Sequence, residues 1–275
     1  MNLQYLHQSI ETLRLSGFTI SDEDFTVLEN SLYVLQNENH FKSIYLVGKI
    51  CGIENDYIIS FGYGKDALSD RTYYYSTNCL DWGLLPHAST DAKNLFHLCT
   101  DPFQGDPAMR SFIIADEDKS GVSEICKLTE EDRLAACVTS IMEEAALIPR
   151  GSLYHRPDNV IVSNYLFEGL SSIEACQLSS FQHYRPAQHR WNTNLLTRKD
   201  YNWSYDFLDT IDCDIPLCKT WTLQQVNGDD IVILRSLYWP GMTFYHRLQT
   251  EEHGFFYYGT GRKNLDIPFM FENLD

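Results

Sequence analysis

The chain has 275 residues, 44% hydrophobic and 21% charged, which excludes general disorder and gives enough length to bury a core without disulfide or metal staples. Asp and Glu total 38 against 21 Lys and Arg, a formal net charge of −17, so nucleic acid or an anionic membrane is not expected as the main partner. No apolar run approaches the ~20 residues that cross a bilayer, and the start Met1-Asn2-Leu3-Gln4-Tyr5 lacks the marks of a secretory signal. The eight cysteines are dispersed with no Cys-x-x-Cys pair, and are expected to be reduced, mostly buried thiols of an intracellular protein.

Leu3, Leu6, Ile10 and Leu13 recur at helical spacing, and Gly17 ends the run. Ser21, with Asp24 three residues on, is placed to cap a second helix striped by Phe25, Leu28, Leu32 and Leu35. The pair predicts a helical hairpin over residues 1–40 whose stripes face the protein's own core; a partner-facing surface is the other reading. The period then falls to two. Ile44, Leu46 and Ile50 should share one face of a strand, with Tyr45 and Val47 on the other. Tyr57, Ile59, Phe61 and Tyr63, then Arg71 to Thr77, continue an antiparallel meander.

Residues 86–128, with Pro86, Pro102, Gly105, Pro107 and the cluster Asp116-Glu117-Asp118, read as a long surface excursion with short elements. Thr129 and Asp132 predict a capped helix lined by Leu134, Val138, Ile141 and Ala145, stopping before Pro149. Ser171 and Glu174 cap another, expected to run through Phe181. Between Ala175 and Lys199 Arg185, Arg190, Arg198 and Lys199 meet no acid, so the acidic 115–144 stretch and this basic one are expected on different faces. Trp221 and Leu223 alternate toward the turn signal Asn227-Gly228. Ile231, Ile233, Leu237 and Trp239 should return along one face, with Val232, Leu234 and Tyr238 on the other, in a strand central to its sheet. Met242 to Leu248 and Phe255 to Tyr258 add two more strands. The fold class is α+β: an N-terminal helical hairpin packed with largely antiparallel β-sheet, further helices near 129–147 and 171–181, and a C-terminal β-meander. Residues 1–275 are expected to form one domain, with the hairpin at 1–40 and an α+β core at 41–275.

Catalytic patterns are weak. Gly259-Thr260-Gly261-Arg262-Lys263 lacks phosphate-loop spacing and no helix pattern follows it. His97 and Cys99, with His87 upstream, lack the second close pair of a zinc site. The pairs Glu130-Glu131 and Glu143-Glu144 lie on a helix, where neighbours diverge by about 100°, and read as a solvated face. No cofactor and no metal is expected.

The block Leu234-Arg235-Ser236-Leu237-Tyr238-Trp239-Pro240-Gly241-Met242-Thr243-Phe244-Tyr245-His246 resembles the radial spoke head protein 9 family of motile cilia, as does Tyr257 through Met270. Further matches follow in order: Asn78-Cys79-Leu80-Asp81-Trp82 with Leu84, Leu85 and Pro86; Gly105-Asp106-Pro107; Arg133-Leu134; Ile148-Pro149-Arg150-Gly151; Phe167-Glu168-Gly169-Leu170-Ser171; and Asp214-Ile215-Pro216 before Trp221. The resemblance implies a non-enzymatic structural subunit of the axonemal radial spoke head, in the cytoskeleton of the cilium or flagellum within the cytoplasm. It implies packing with radial spoke head proteins 4 and 6 and other head subunits, transient contact with projections of the central pair, and relay of mechanical signals that regulate dynein. The alternatives are an adaptor of another ciliary or cytoskeletal complex and a nucleotide-dependent enzyme working through residues 259–263. Trp239, Tyr245, Pro268, Phe269 and Met270 are the partner-interface or anchor candidates, the last three as an extended apolar tail.

Overall fold

A computed structural model describes residues 1–14, 20–114, 125–188, 199–226, 228 and 230–270. The expectations for Gly17, Asp116, Glu117, Asp118, Arg190, Arg198 and Asn227 fall outside these residues. The N-terminal strands are β1 (Ser43–Ile50), β2 (Tyr57–Tyr63), β3 (Arg71–Ser76) and β4 (Gly83–Leu84). Six short strands follow as three separate pairs: β5 (Arg110–Ile114) with β6 (Ile125–Thr129), β7 (Leu147–Pro149) with β10 (Phe181–His183), and β8 (Leu153–His155) with β9 (Ile161–Ser163). The C-terminal strands are β11 (Trp221–Val226), β12 (Ile231–Ser236), β13 (Met242–Arg247) and β14 (His253–Gly259).

The two meanders form one eight-stranded sheet in the order β11-β12-β13-β14-β1-β2-β3-β4. Every neighbouring pair is antiparallel except β14 and β1, which run parallel with Gly48 opposite Tyr257. At that seam the Gly48 φ is +154°, and a Cβ there would stand 2.0 Å from the Tyr257 carbonyl oxygen, so only glycine fits.

Helices cover both faces. α1 (Leu6–Arg14) and α2 (Asp22–Glu38) bury Leu6, Ile10, Leu28, Leu32 and Leu35 against Ile44, Leu46, Ile58, Ile231, Ile233, Tyr245 and Phe256. Ser21 caps α2 as expected, accepting from the Asp24 N–H. The opposite face packs on α3 (Thr90–Leu95), α4 (Glu130–Glu144) and α5 (Ser172–Ala175), with Val47, Tyr57, Phe61, Val232, Leu234, Phe244 and Tyr257 from the sheet. Thr129 caps α4, and Leu134, Val138, Ile141 and Ala145 are all buried there.

Several expectations are corrected. Ile50 does not share a face with Ile44 and Leu46: the pairing with β2 slips between Leu46 and Gly48, and this bulge turns Ile50 to the α4 side beside Val47. Residues 86–128 are more than a surface excursion, because Ala92, Phe96 and Phe103 are buried in the α4-side core. The helix after Ser171 does not reach Phe181: α5 ends at Ala175, and Leu178–Ser180 is a 3-10 turn leading into β10. The acids of α4 are not one solvated face. Glu130 is 1% exposed, and its carboxylate accepts from the Tyr57 hydroxyl at 2.7 Å, Gly105 N–H at 2.7 Å and Gln104 N–H at 2.9 Å. Arg185, counted in the basic stretch, is buried and paired with Asp209 at 2.6 Å. Cys51, Cys79, Cys99, Cys137, Cys176, Cys213 and Cys218 are free thiols, but only Cys79 and Cys137 are buried. No helix among the described residues is long and apolar enough to cross a membrane.

Candidate interaction site

The corner where β12 ends is assembled by one break in alternation. β12 stops at Ser236, whose hydroxyl accepts the Trp239 N–H at 3.2 Å. Trp239 therefore leaves the face of Ile231 and Ile233, where alternation put it, and inserts on the α4 side with 0% exposure. Pro240-Gly241 then turns the chain into β13. Gly241 has φ +100°, and a Cβ there would lie 2.0 Å from the Tyr258 carbonyl oxygen.

A polar network ties distant segments to this indole. Its Nε1 donates to Glu144, the last residue of α4, at 2.7 Å. Lys263 pairs with the same carboxylate at 2.7 Å and lies 5.2 Å from the centre of the Tyr238 ring. The Tyr238 hydroxyl donates to the Ile215 carbonyl at 2.7 Å, and its own carbonyl accepts the Asn264 N–H at 2.7 Å. Asp214 accepts from Trp221 Nε1 at 2.9 Å and faces His183 Nε2 at 2.8 Å. Most of these groups line a cleft of about 310 Å³ together with Ile215, which is 77% exposed; Leu217 and Leu265, 67% and 59% exposed, each follow two residues after a lining residue, Ile215 or Lys263. Charge-assisted donors hold both Glu144 and Asp214, which suits them to fixing the corner.

The anchor candidates divide. Trp239 and Tyr245 are core residues on opposite faces, and the Tyr245 hydroxyl bonds to Ser9 of α1. Neither presents side-chain surface to a partner. Burial holds the Tyr245 phenol well above its ordinary range. Residues 267–270 are not an extended tail but a helical turn, α6 (Ile267–Met270), with Ile267 buried, Phe269 82% exposed and Met270 64% exposed. For Pro268 only the backbone is described. Ile215, Leu217 and Leu265 lie in or next to stretches carrying the family resemblance, but exposed residues drawn from separate loops have no periodicity to betray them.

The other chemical candidates are engaged internally. In the 259–263 loop the Gly261 N–H donates to the Tyr257 hydroxyl, the Gly261 carbonyl accepts from the Cys137 thiol, Arg262 reaches the Thr100 carbonyl and Lys263 is held by Glu144. Burial pushes the Cys137 thiol up to about 12. Among the described residues no group of three or more His, Cys, Asp or Glu is placed to hold a metal ion.

What the fold and this corner define is an α+β protein in which three of the motif-bearing segments, those around Asp214, Tyr238 and Lys263, meet at one surface beside exposed apolar residues. No family model matches the chain. It is 36% identical over 279 residues to radial spoke head protein 9 homolog of Homo sapiens, covering 98% of this chain and 100% of that one. With the homologs of Xenopus tropicalis and Danio rerio it shares 38% over 282 residues and 35% over 277, at the same coverage. The chain belongs to the radial spoke head protein 9 family.

Proposed function

We propose that this chain is a non-enzymatic structural subunit of the radial spoke head in the axoneme of motile cilia or flagella. In this role residues 1–275 act as one unit, needed for assembly of the head and for mechanical signalling between the central pair and dynein. The observation that carries the reading is end-to-end identity of 35–38% with proteins named for the radial spoke head. The structure supports it through the corner, where Trp239, Glu144, Lys263 and Asp214 brace a rim of exposed apolar residues instead of enclosing a deep pocket. Protein interfaces are built on such apolar patches bordered by polar groups. The partners are the paralogous head proteins 4 and 6 and other head subunits, with Phe269 and Met270 added to the corner as accessible anchors.

The test is purification of a tagged chain from detergent-stripped axonemes. Co-purification of the other head subunits is the expected result. Recovery only in the soluble fraction, free of axonemal proteins, would contradict it.

A further inference from the structure

Among the described residues β11 is the outer strand of the eight-stranded sheet, paired only with β12. The ladder fixes which backbone groups face outward. The Thr220 carbonyl accepts from Leu237 N–H at 3.0 Å, and the Asp230 carbonyl accepts from Leu248 N–H at 2.9 Å. Odd-numbered residues of β12 therefore turn their backbone groups to β11, and even-numbered ones to β13. With Thr222 opposite Arg235 and Gln224 opposite Ile233, the backbone groups of Thr222, Gln224 and Val226 point inward. Those of Trp221, Leu223 and Gln225 point outward, and among the described residues nothing bonds to them.

Edge strands are usually blunted by charge, proline, a bulge or shortness. The opposite edge, β4, has two residues. β11 has none of these protections: it reads Trp-Thr-Leu-Gln-Gln-Val in unbroken register over six pairs. It is also self-complementary. A two-fold axis beside Leu223 lays a second β11 antiparallel, with Leu223 against Leu223 and Trp221 against Gln225, and every outward donor meets an acceptor. Ile215 and Leu217 stand at the start of the strand, tied there by the Asp214–Trp221 bond. At its end Gln225 Nε2 reaches the Cys176 sulfur at 3.4 Å, and Ile173, 77% exposed, lies one turn from Cys176. The two-fold brings the Ile215 end of each copy to the Ile173 end of the other, on the side of the sheet that holds Trp221 and Ala175. It likewise brings the Lys219 end to the Asp230 end, while the strand itself carries no charge to oppose the approach.

We propose that the β11 edge is a self-association site, at which a second copy of this chain adds its own β11 antiparallel and joins the two sheets into one. The proposal is independent of the spoke-head reading, and its failure would leave the family membership intact.

The test uses the full chain and two surface double variants. Thr222 and Gln224 are exposed and face one another across the two-fold, so T222K/Q224K and T222E/Q224E each gather four like charges there. By light scattering at tens of micromolar, the wild type is expected near twice its 31.9 kDa mass. Each double variant should run as a single chain, and an equimolar mixture of the two should return to the doubled mass. Gln225→Pro removes one outward N–H per copy without touching the β12 ladder, and should weaken pairing about tenfold. Unchanged circular dichroism shows that the variants are folded. A wild type of single-chain mass, double variants that stay paired, or a mixture that stays single would each overturn the proposal.

Discussion

The two faces of the sheet are built by different means. The α1–α2 face is covered by two amphipathic helices and is mainly apolar, from Leu6, Leu28 and Leu32 to Ile233 and Phe256, and its buried polar groups are chiefly the Ser9 and Ser31 hydroxyls and the Met1 amine, each hydrogen-bonded. The α4 face draws on loops and short elements from the whole chain, and it buries charge: Glu130, Arg133, Arg185, Asp206 and Asp209 are all nearly inaccessible. Local patterns suffice for the first kind of face. The second depends on pairings between distant residues, so single polar substitutions there should be unusually costly. Each further prediction tests that contrast.

The largest effect is expected at Trp239→Ala. It empties a fully buried indole site and leaves Glu144 without one donor, for a loss of about 3–5 kcal/mol in a denaturant titration. A loss under about 1 kcal/mol would show that the corner does not brace this face. Next comes Glu130→Ala, which strands two backbone N–H groups and the Tyr57 hydroxyl; about 3 kcal/mol is expected. Glu143 is the control on the same helix. Its contact with Lys93 is half exposed, and Glu143→Ala should stay within about 0.5 kcal/mol. Equal effects at the two positions would erase the distinction between buried and surface acids of α4.

Acid should also act through the α4 face. His246 is buried on β13, where Nε2 accepts the Leu170 N–H at 3.0 Å and Nδ1 donates to the Glu252 carbonyl at 3.0 Å. Burial, then the nearby His253, lower its pKa from 6.5 to about 3. Below pH 6.5 the unfolded chain takes up a proton that the folded chain refuses, so stability falls as pH falls toward the folded value. At pH 5 this costs about 2 kcal/mol relative to pH 8. His253 beside it is lowered to about 4 by burial and contributes in the same sense, so His246→Gln, which keeps one acceptor and one donor, should reduce but not abolish the fall of the melting temperature between pH 7 and 5; an unchanged slope would exonerate His246. Apart from the Glu143 control, the smallest effect belongs to the apolar face: Ser21→Ala removes the α2 cap and should cost about 1 kcal/mol.

This division also marks what the sequence disclosed. The helices α1, α2 and α4 are written in their stripes and in the caps Ser21 and Thr129. Both meanders are visible as alternation, but their parallel junction is not, because Gly48 and Tyr257 come from opposite ends of the chain. One extra residue at the β1 bulge reversed the face of Ile50, and an early strand end reversed that of Trp239. Glu130 looked solvated because residues 57, 104 and 105, which bury it, are far away in sequence. At the corner the chain order of Asp214, Tyr238 and Lys263 carries the family resemblance, whereas their meeting point exists only in three dimensions.

The central claim, a place in the radial spoke head, is met most directly by electron cryotomography of axonemes from cells lacking this chain, with and without a tagged wild-type copy. Spoke heads with missing density are expected, restored by the tagged chain, with the tag located in the head. Complete heads in its absence, or a tag found elsewhere in the axoneme, would contradict it.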